Sequence, residues 1–253
     1  MVSYYNSCFR KTQVLNSLKL VLKKFKTVKD LHNAIELQWQ EEQEHFTYSQ
    51  FTRYIKGEIP IPDSKEDVFI RFLHNQLNLT ADLIQPNIDI NLKVTPIQVN
   101  INRLLANPEQ LNLLAFHVIN QEHLTGRQFD AILTHPEAVP LAIAFALLLQ
   151  VPWFSLSFRV PPVHPTRISQ YPYLVDQELV STAYFSMDDD IRNKKLLIIS
   201  DYIRRGGFID ILFRIAEDNK ATVLFLIAIV GIGTSWNRFS LELEGNMRVL
   251  HFV

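Results

Sequence analysis

The chain has 253 residues, 47% of them hydrophobic, which is material for one large folded unit or two small ones and excludes a disordered chain. A formal charge of -1 at pH 7 and a pI near 6.7 exclude a surface built throughout for nucleic acid or anionic membrane, so any such contact has to be local. One cysteine, Cys8, makes neither a disulfide framework nor a thiolate metal cage.

The first ten residues lack the basic-then-apolar order of a secretory signal. The apolar stretches Leu141–Val151 and Val223–Ile232 fall short of the roughly 20 residues that span a bilayer. Both points lead to the expectation of a cytoplasmic protein with no membrane partner.

In chain order, Val14, Leu15, Leu18, Val21, Leu22 and Phe25 recur with helical spacing, and Lys19, Lys23, Lys24 and Lys26 between them make a basic face. Thr27-Val-Lys-Asp30 has the form of a capping signal and opens a second helix that turns Val28, Leu31, Ile35 and Trp39 inward. A third, short helix starts at Thr47 or Ser49, buries Phe51, Tyr54 and Ile55, and ends on Gly57 as a left-handed cap. Pro60 and Pro62 prevent its continuation. Asp63 is expected to cap a fourth helix through about Leu77, with Val68, Phe69, Phe72 and Leu73 buried. The pattern breaks around 78–87, which divides the chain into a helical head, 1–78, and a body, 79–253.

The body opens with an extended stretch at 88–101 and a helix from Pro108 to His123. Then come a strand at Ala131–Leu133, a buried helix at Ala138–Leu149 and a strand at Trp153–Phe158. Residues 160–187, with four prolines, read as a loop and hairpin excursion. A strand at Lys195–Ser200, a turn with Gly206-Gly207, a helix at Phe208–Asp218, and strands at Thr222–Val230 and Met247–Val253 complete it. Strands alternating with helices of this length predict an α/β body with a parallel sheet covered on both faces.

The third helix carries Tyr48, Ser49, Gln50, Thr52, Arg53 and Lys56 on its outer side, polar groups of the kind that read base edges in a major groove. Ser49-x-x-Thr52-Arg53-Tyr54-x-x-Gly57 resembles the recognition helix of phage-repressor-type helix-turn-helix regulators, and the likeness runs over about residues 14–78. The bland alternative is a solvated face of a small bundle. Nine Lys and Arg against six Asp and Glu over residues 1–60 leave the head only mildly basic, and Gln40-Glu-Glu-Gln-Glu-His45 puts three acids where the turn would face phosphates.

In the body, Leu196-Leu-Ile-Ile-Ser-Asp-Tyr-Ile-Arg-Arg-Gly-Gly-Phe-Ile209 resembles the phosphoribosyl-pyrophosphate motif of the type I phosphoribosyltransferases. Phe129 to Pro152, followed by Ser157-Phe-Arg159, resembles their pyrophosphate-loop region. The two segments stand in the family's order over about residues 100–234. In that family acids hold the ribose hydroxyls, and a loop at a helix N-terminus holds the 5′-phosphate. The resemblance implies a type I phosphoribosyltransferase-like domain with a ligand site at Ser200, Asp201, Arg204, Arg205, Gly206, Gly207 and Arg159. Its ligand would be phosphoribosyl pyrophosphate or a nucleotide, taken as an effector.

The departures are specific. Ser200 stands at the first acid position, while Arg205 and Phe208 replace hydroxyl residues. The loop Thr134-His-Pro-Glu-Ala138 has no glycine and carries Glu137, and Val160 stands where a lysine follows the arginine. Arg205 either offers a cation to an anion or plugs the pocket. No catalytic residue is assigned.

A helix-turn-helix head on such a body resembles archaeal phosphoribosyltransferase-like regulators and, more distantly, the Gram-positive purine repressor. That implies a DNA-binding transcriptional regulator, dimeric through its body, with double-stranded DNA as partner. An active phosphoribosyltransferase and a protein scaffold are the alternatives. The eight histidines show no ligand spacing, so no metal is expected. Asp188-Asp-Asp190 reads as a hairpin turn, and Gly231-Ile-Gly233 as a strand end. Trp236 either stacks on a base at the pocket rim or covers the core.

Overall fold

The computed structural model describes residues 2–38, 46–91, 97–160, 168–174, 180–186, 190–204, 207–234 and 236–253. Among these the head consists of helices α1 (Val2–Leu22), α2 (Val28–Gln38), α3 (Tyr48–Lys56) and α4 (Asp63–Gln76). α1 begins well before the apolar periodicity at Val14, because neither glycine nor proline occurs before Gly57 to stop it. Its first half is tied to α4 by Arg10 on Glu66 and Asp67, and by Lys11 on Asp63 at 2.5 Å. Asp63 is therefore not the cap expected from the sequence. Pro62 holds that position without a side-chain bond, and the Asp63 carboxylate is spent on Lys11.

α2 opens on Thr27, whose Oγ1 accepts from Asp30 N–H at 3.1 Å. α3 carries a full capping box. Thr47 Oγ1 accepts from Gln50 N–H, and Gln50 Oε1 accepts from Thr47 N–H, while Gly57 at φ +72° closes the helix. Leu18, Leu31, Ile35, Phe51, Phe69 and Leu73 form the head's core. Phe116 of the body is buried in the same cluster.

The link to the body is a single π-helical turn, Leu79–Ile84, running into a 3-10 turn at Gln85–Asn87. Lys24 reaches it from the end of α1 and bonds Asp82 at 2.5 Å. Next come β1 (Asp89–Asn91) and β2 (Gln98–Asn100), paired antiparallel, then α5 (Asn102–Leu105) and α6 (Pro108–Gln121). Across the junction, Ser17 on α1 meets His117 on α6, Oγ to Nε2 2.8 Å, both fully buried.

The remaining elements are β3 (Ala131–Thr134), α7 (Val139–Leu149), β4 (Trp153–Ser155), β5 (Ile168–Leu174), β6 (Val180–Ser186), β7 (Lys195–Ile203), α8 (Gly207–Asp218), β8 (Thr222–Gly231), α9 (Asn237–Glu242) and β9 (Met247–Phe252). Five of these strands form one parallel sheet in the order β4-β3-β7-β8-β9. The alternation of side chains divides the core cleanly. Ile132, Leu197, Ile199, Phe225 and Ile227 face α6 and α7. Ala131, Leu133, Leu196, Ile198, Leu226 and Ala228 face α8, α9 and the β5–β6 hairpin. This is the covered α/β body that the strand–helix alternation predicts. At the far edge, Thr80 Oγ1 of the linker turn donates to the Leu250 carbonyl of β9 at 2.7 Å.

Candidate functional site

The chain runs from β3 outward to β4 and then returns to lay β7 on the other side of β3, so the order of strands reverses between β3 and β7. Side chains at the carboxyl ends of two such strands meet over a natural crevice. Here β3 ends in Thr134 and the loop His135-Pro-Glu-Ala138, while β7 delivers Ser200, Asp201 and Tyr202. Thr134 Oγ1 donates to the Ile199 carbonyl at 2.7 Å and closes the floor.

The crevice holds a side chain of the protein itself. His135, 1% exposed, directs Nε2 to Asp201 Oδ1 at 3.0 Å and to Ser200 Oγ at 3.0 Å, and Nδ1 to Glu137 Oε2 at 3.0 Å. Burial alone would lower the pKa of this imidazole, but the hydrogen bonds and charges of Asp201 and Glu137 outweigh it and push it up to about 9. The ring is thus an imidazolium with both N–H groups donated. The pKa of Glu137 is lowered correspondingly: burial would raise it, and the bond from His135 overcomes that. Ser200 donates its hydroxyl to the Tyr202 carbonyl at 2.9 Å, and Tyr202 N–H donates to Asp201 Oδ1 at 2.8 Å. Burial, then the Asp201 charge, raises the pKa of Tyr202.

Phe208, in the first turn of α8, lies flat on His135 with ring centres 5.2 Å apart and planes 16° from parallel. Phe158 and Tyr173 pack on Phe208 at 5.4 and 5.0 Å. Tyr173 belongs to the β5–β6 hairpin, which is further fixed by Tyr171 Oη donating to Asp218 of α8 at 2.9 Å and by paired backbone bonds between Ser157 and Tyr184. The hairpin is therefore held over the crevice by aromatic rings.

Ser200, His135 and Glu137 stand in the order of a nucleophile, base and orienting acid. The arrangement cannot work that way. Ser200 is wholly buried, and the imidazole already carries the proton that a base would have to accept. Its evident action is to neutralise a buried carboxylate.

The residues expected at the phosphoribosyl site are partly brought together. Ser200 and Asp201 are buried beside His135, Arg204 follows at the strand end, and Gly207 opens α8. Arg159 is exposed past β4, its backbone N–H and carbonyl both bonded to Ser157 Oγ. Arg205 and Gly206 lie outside the described residues, as do Trp39, the Gln40–His45 run and Asp188 and Asp189. Trp236 stacks on Phe252 at 5.3 Å and donates Nε1–H to the Gly233 carbonyl, covering the end of β8. Sequence reasoning missed His135. The available signal was Asp201, an acid closing a buried strand, which calls for water or for a cation from elsewhere in the chain.

In the head, Tyr48, Ser49, Gln50, Arg53 and Lys56 are exposed and Thr52 is half-buried. Gln50 is engaged in the capping box, and Arg53 and Lys56 both approach Glu58, at 3.7 and 3.8 Å. Among the described residues no group of three or more His, Cys, Asp or Glu side chains is placed to hold a metal, and no helix is long and apolar enough to cross a membrane.

Comparison with family models and with curated proteins finds no match. Among solved structures, adenine phosphoribosyltransferase from Thermoanaerobacter pseudethanolicus matches with a TM-score of 0.55 and 18% identity over 67% of this chain and 98% of that one. The Saccharomyces cerevisiae enzyme, solved with adenine and an imino-altritol bisphosphate, matches with a TM-score of 0.56 at 14% identity over 69% and 99%. The Giardia lamblia enzyme, complexed with 9-deazaadenine, matches with a TM-score of 0.56 at 12% over 69% and 97%. The body has the fold of the phosphoribosyltransferases.

Proposed function

We propose that this protein is a DNA-binding transcriptional regulator of the cytoplasm, divided at about residue 78 into a reading head and a phosphoribosyltransferase-like body that dimerises and has lost transfer chemistry. The observation that carries the reading is the occupied crevice. Asp201, the one acid kept at the ribose position, is bonded to His135, and Phe208 stacks on the His135 ring. A transferase needs that carboxylate free for a ribose hydroxyl and needs preorganised donors for the charge that develops on pyrophosphate. Glu137 in the glycine-free loop offers pyrophosphate a negative charge instead. Phosphoribosyl pyrophosphate or a nucleotide would act as effector only by displacing the His135 ring from Asp201.

With the body inert, the acting part is the head, where Arg53 and Gln50 on α3 are assigned to base edges and Lys56 to the backbone. The reading is tested on the purified full chain. It should sediment as a dimer, shift duplex DNA in a salt-dependent manner, and show no turnover with phosphoribosyl pyrophosphate, magnesium and adenine, guanine, hypoxanthine, uracil or orotate. Turnover with any of these bases would replace it by the active-enzyme reading, which the retained Asp201 favours. A folded protein that binds no duplex would move the head to the scaffold reading.

A further inference from the structure

Apart from Arg71, which also has a partner, the lysines and arginines of the head fall into two groups. Arg10, Lys11, Lys24, Arg53, Lys56 and Lys65 are engaged, with Glu66 and Asp67, Asp63, Asp82, Glu58 and, for Lys65, the Phe46 ring. Lys19, Lys23, Lys26 and Lys29 are exposed and, among the described residues, have no carboxylate, ring or hydrogen-bond partner. These four fall within eleven consecutive residues, at the end of α1, in the turn and in the first turn of α2. The acid beside them, Asp30, accepts from the Thr27 hydroxyl of its own cap at 2.9 Å. In a chain whose formal charge is -1 this is a concentrated positive corner.

Helix stability accounts for only half of it. Lys19 and Lys23 sit at the C-terminus of α1, where a cation complements the helix dipole. Lys26 and Lys29 sit before and within the first turn of α2, where a cation opposes it. Charges kept at some cost to the helix point to a partner.

We propose that the corner where α1 turns into α2 is a contact surface for the phosphate backbone of duplex DNA, with Lys19, Lys23, Lys26 and Lys29 each meeting phosphates. This rests on the reading that the head binds DNA and adds to the one backbone contact assigned to α3, that of Lys56, which like Arg53 lies near Glu58. Lys19 and Lys23, four residues apart, lie about 6 Å apart along the helix, a spacing that lets them follow one strand. An anionic membrane is the weaker fit, because surface helices bind lipid with an exposed apolar face. Here Val14, Leu18, Val21, Leu31 and Ile35, the apolar sides of α1 and α2, are buried in the head's core.

The test uses the full chain and a long mixed-sequence duplex, with binding measured across a salt series. Changing all four lysines to glutamine should weaken binding to every sequence alike and reduce the slope of log K against log salt by about 3 to 4, at about 0.9 per phosphate released. Arg53→Ala should instead lower preference among sequences and leave most of that slope. Lys26→Glu with Lys29→Glu is the second variant, because acids there favour α2 and the fold is kept while binding should fall further than with glutamine. A wild type that binds duplex with a slope the quadruple variant shares would overturn this surface and leave the DNA reading standing. A wild type that binds no duplex overturns both. Phosphatidylserine vesicles bound through these lysines in preference to duplex would also overturn it.

Discussion

A carboxylate at the end of a buried strand is tolerated in one of two ways, by an open wet site or by a cation that the chain supplies. Asp201 has the second, and the cation is the His135 ring. Removing one partner of a buried pair leaves the other uncompensated, so His135→Gln should destabilise the protein by roughly 3–5 kcal/mol in urea unfolding at pH 6. The pH dependence follows from the raised pKa. A histidine held at about 9, against 6.5 when unfolded, stabilises fully below pH 6.5, and that contribution is lost as pH rises toward 9. The gap between wild type and His135→Gln should therefore narrow steadily from pH 6.5 to 9. A gap that stays constant over that range would show that the ring is neutral in the folded protein. The pair explains why the site was only half legible. Asp201 and the strand before it are a local pattern, whereas His135 reaches it only through the pairing of β3 with β7, which nothing in either segment spells out.

Elements bounded by local chemistry were the legible ones. α3 runs between a threonine cap and a left-handed glycine, both readable in eleven residues, and the inward Phe51, Tyr54 and Ile55 are all buried. Thr47→Ala should cost about 1 kcal/mol of stability by opening the capping box. Gly57→Ala, at φ +72°, should cost about 1–2 kcal/mol through backbone strain, since an added Cβ would meet only Leu15 at an ordinary 3.8 Å. Equal thermal midpoints for wild type and both variants would show that the ends of α3 are not held as described. α9 escaped the sequence because its six residues bury only Phe239, have no side-chain cap, and are otherwise held by Arg238 on Asp210 of α8, a pairing distant in sequence. The start of α1 escaped because a helix without breakers continues past its apolar stripe when distant acids on α4 meet its arginine and lysine.

At the scale of the molecule, head and body share a buried polar seam. His117 on α6 takes Ser17 from α1 as partner and faces His74 of α4, ring centres 6.2 Å apart, with His123 acting in turn on His74. Burial, reinforced by His74, lowers the pKa of His117 to about 3, and burial lowers that of His74 as well. The His117 ring is neutral in the folded protein at neutral pH. A histidine with a lowered pKa stabilises above pH 6.5, and its contribution is lost as pH falls, so acid should part head from body. Stability of the full chain should decline from pH 6.5 toward 4, and the decline should be shallower in His117→Phe. Equal slopes would assign the acid sensitivity to other groups. The two histidines thus set opposite limits, His117 in acid and His135 in base.

The short linker turn that joins the two parts has a second consequence, at the margin of the sheet. Val253 exchanges its backbone bonds with Gly231 and Gly233, so the alternate residue Leu250 turns its carbonyl away from β8, toward the open side of the last strand. An outermost strand with bare carbonyls is a template on which another chain can add itself. Thr80 occupies that carbonyl with its own hydroxyl. The linker turn therefore also covers part of the outer edge of β9, and a change that pulls it away would leave the Leu250 carbonyl open to pairing with another chain.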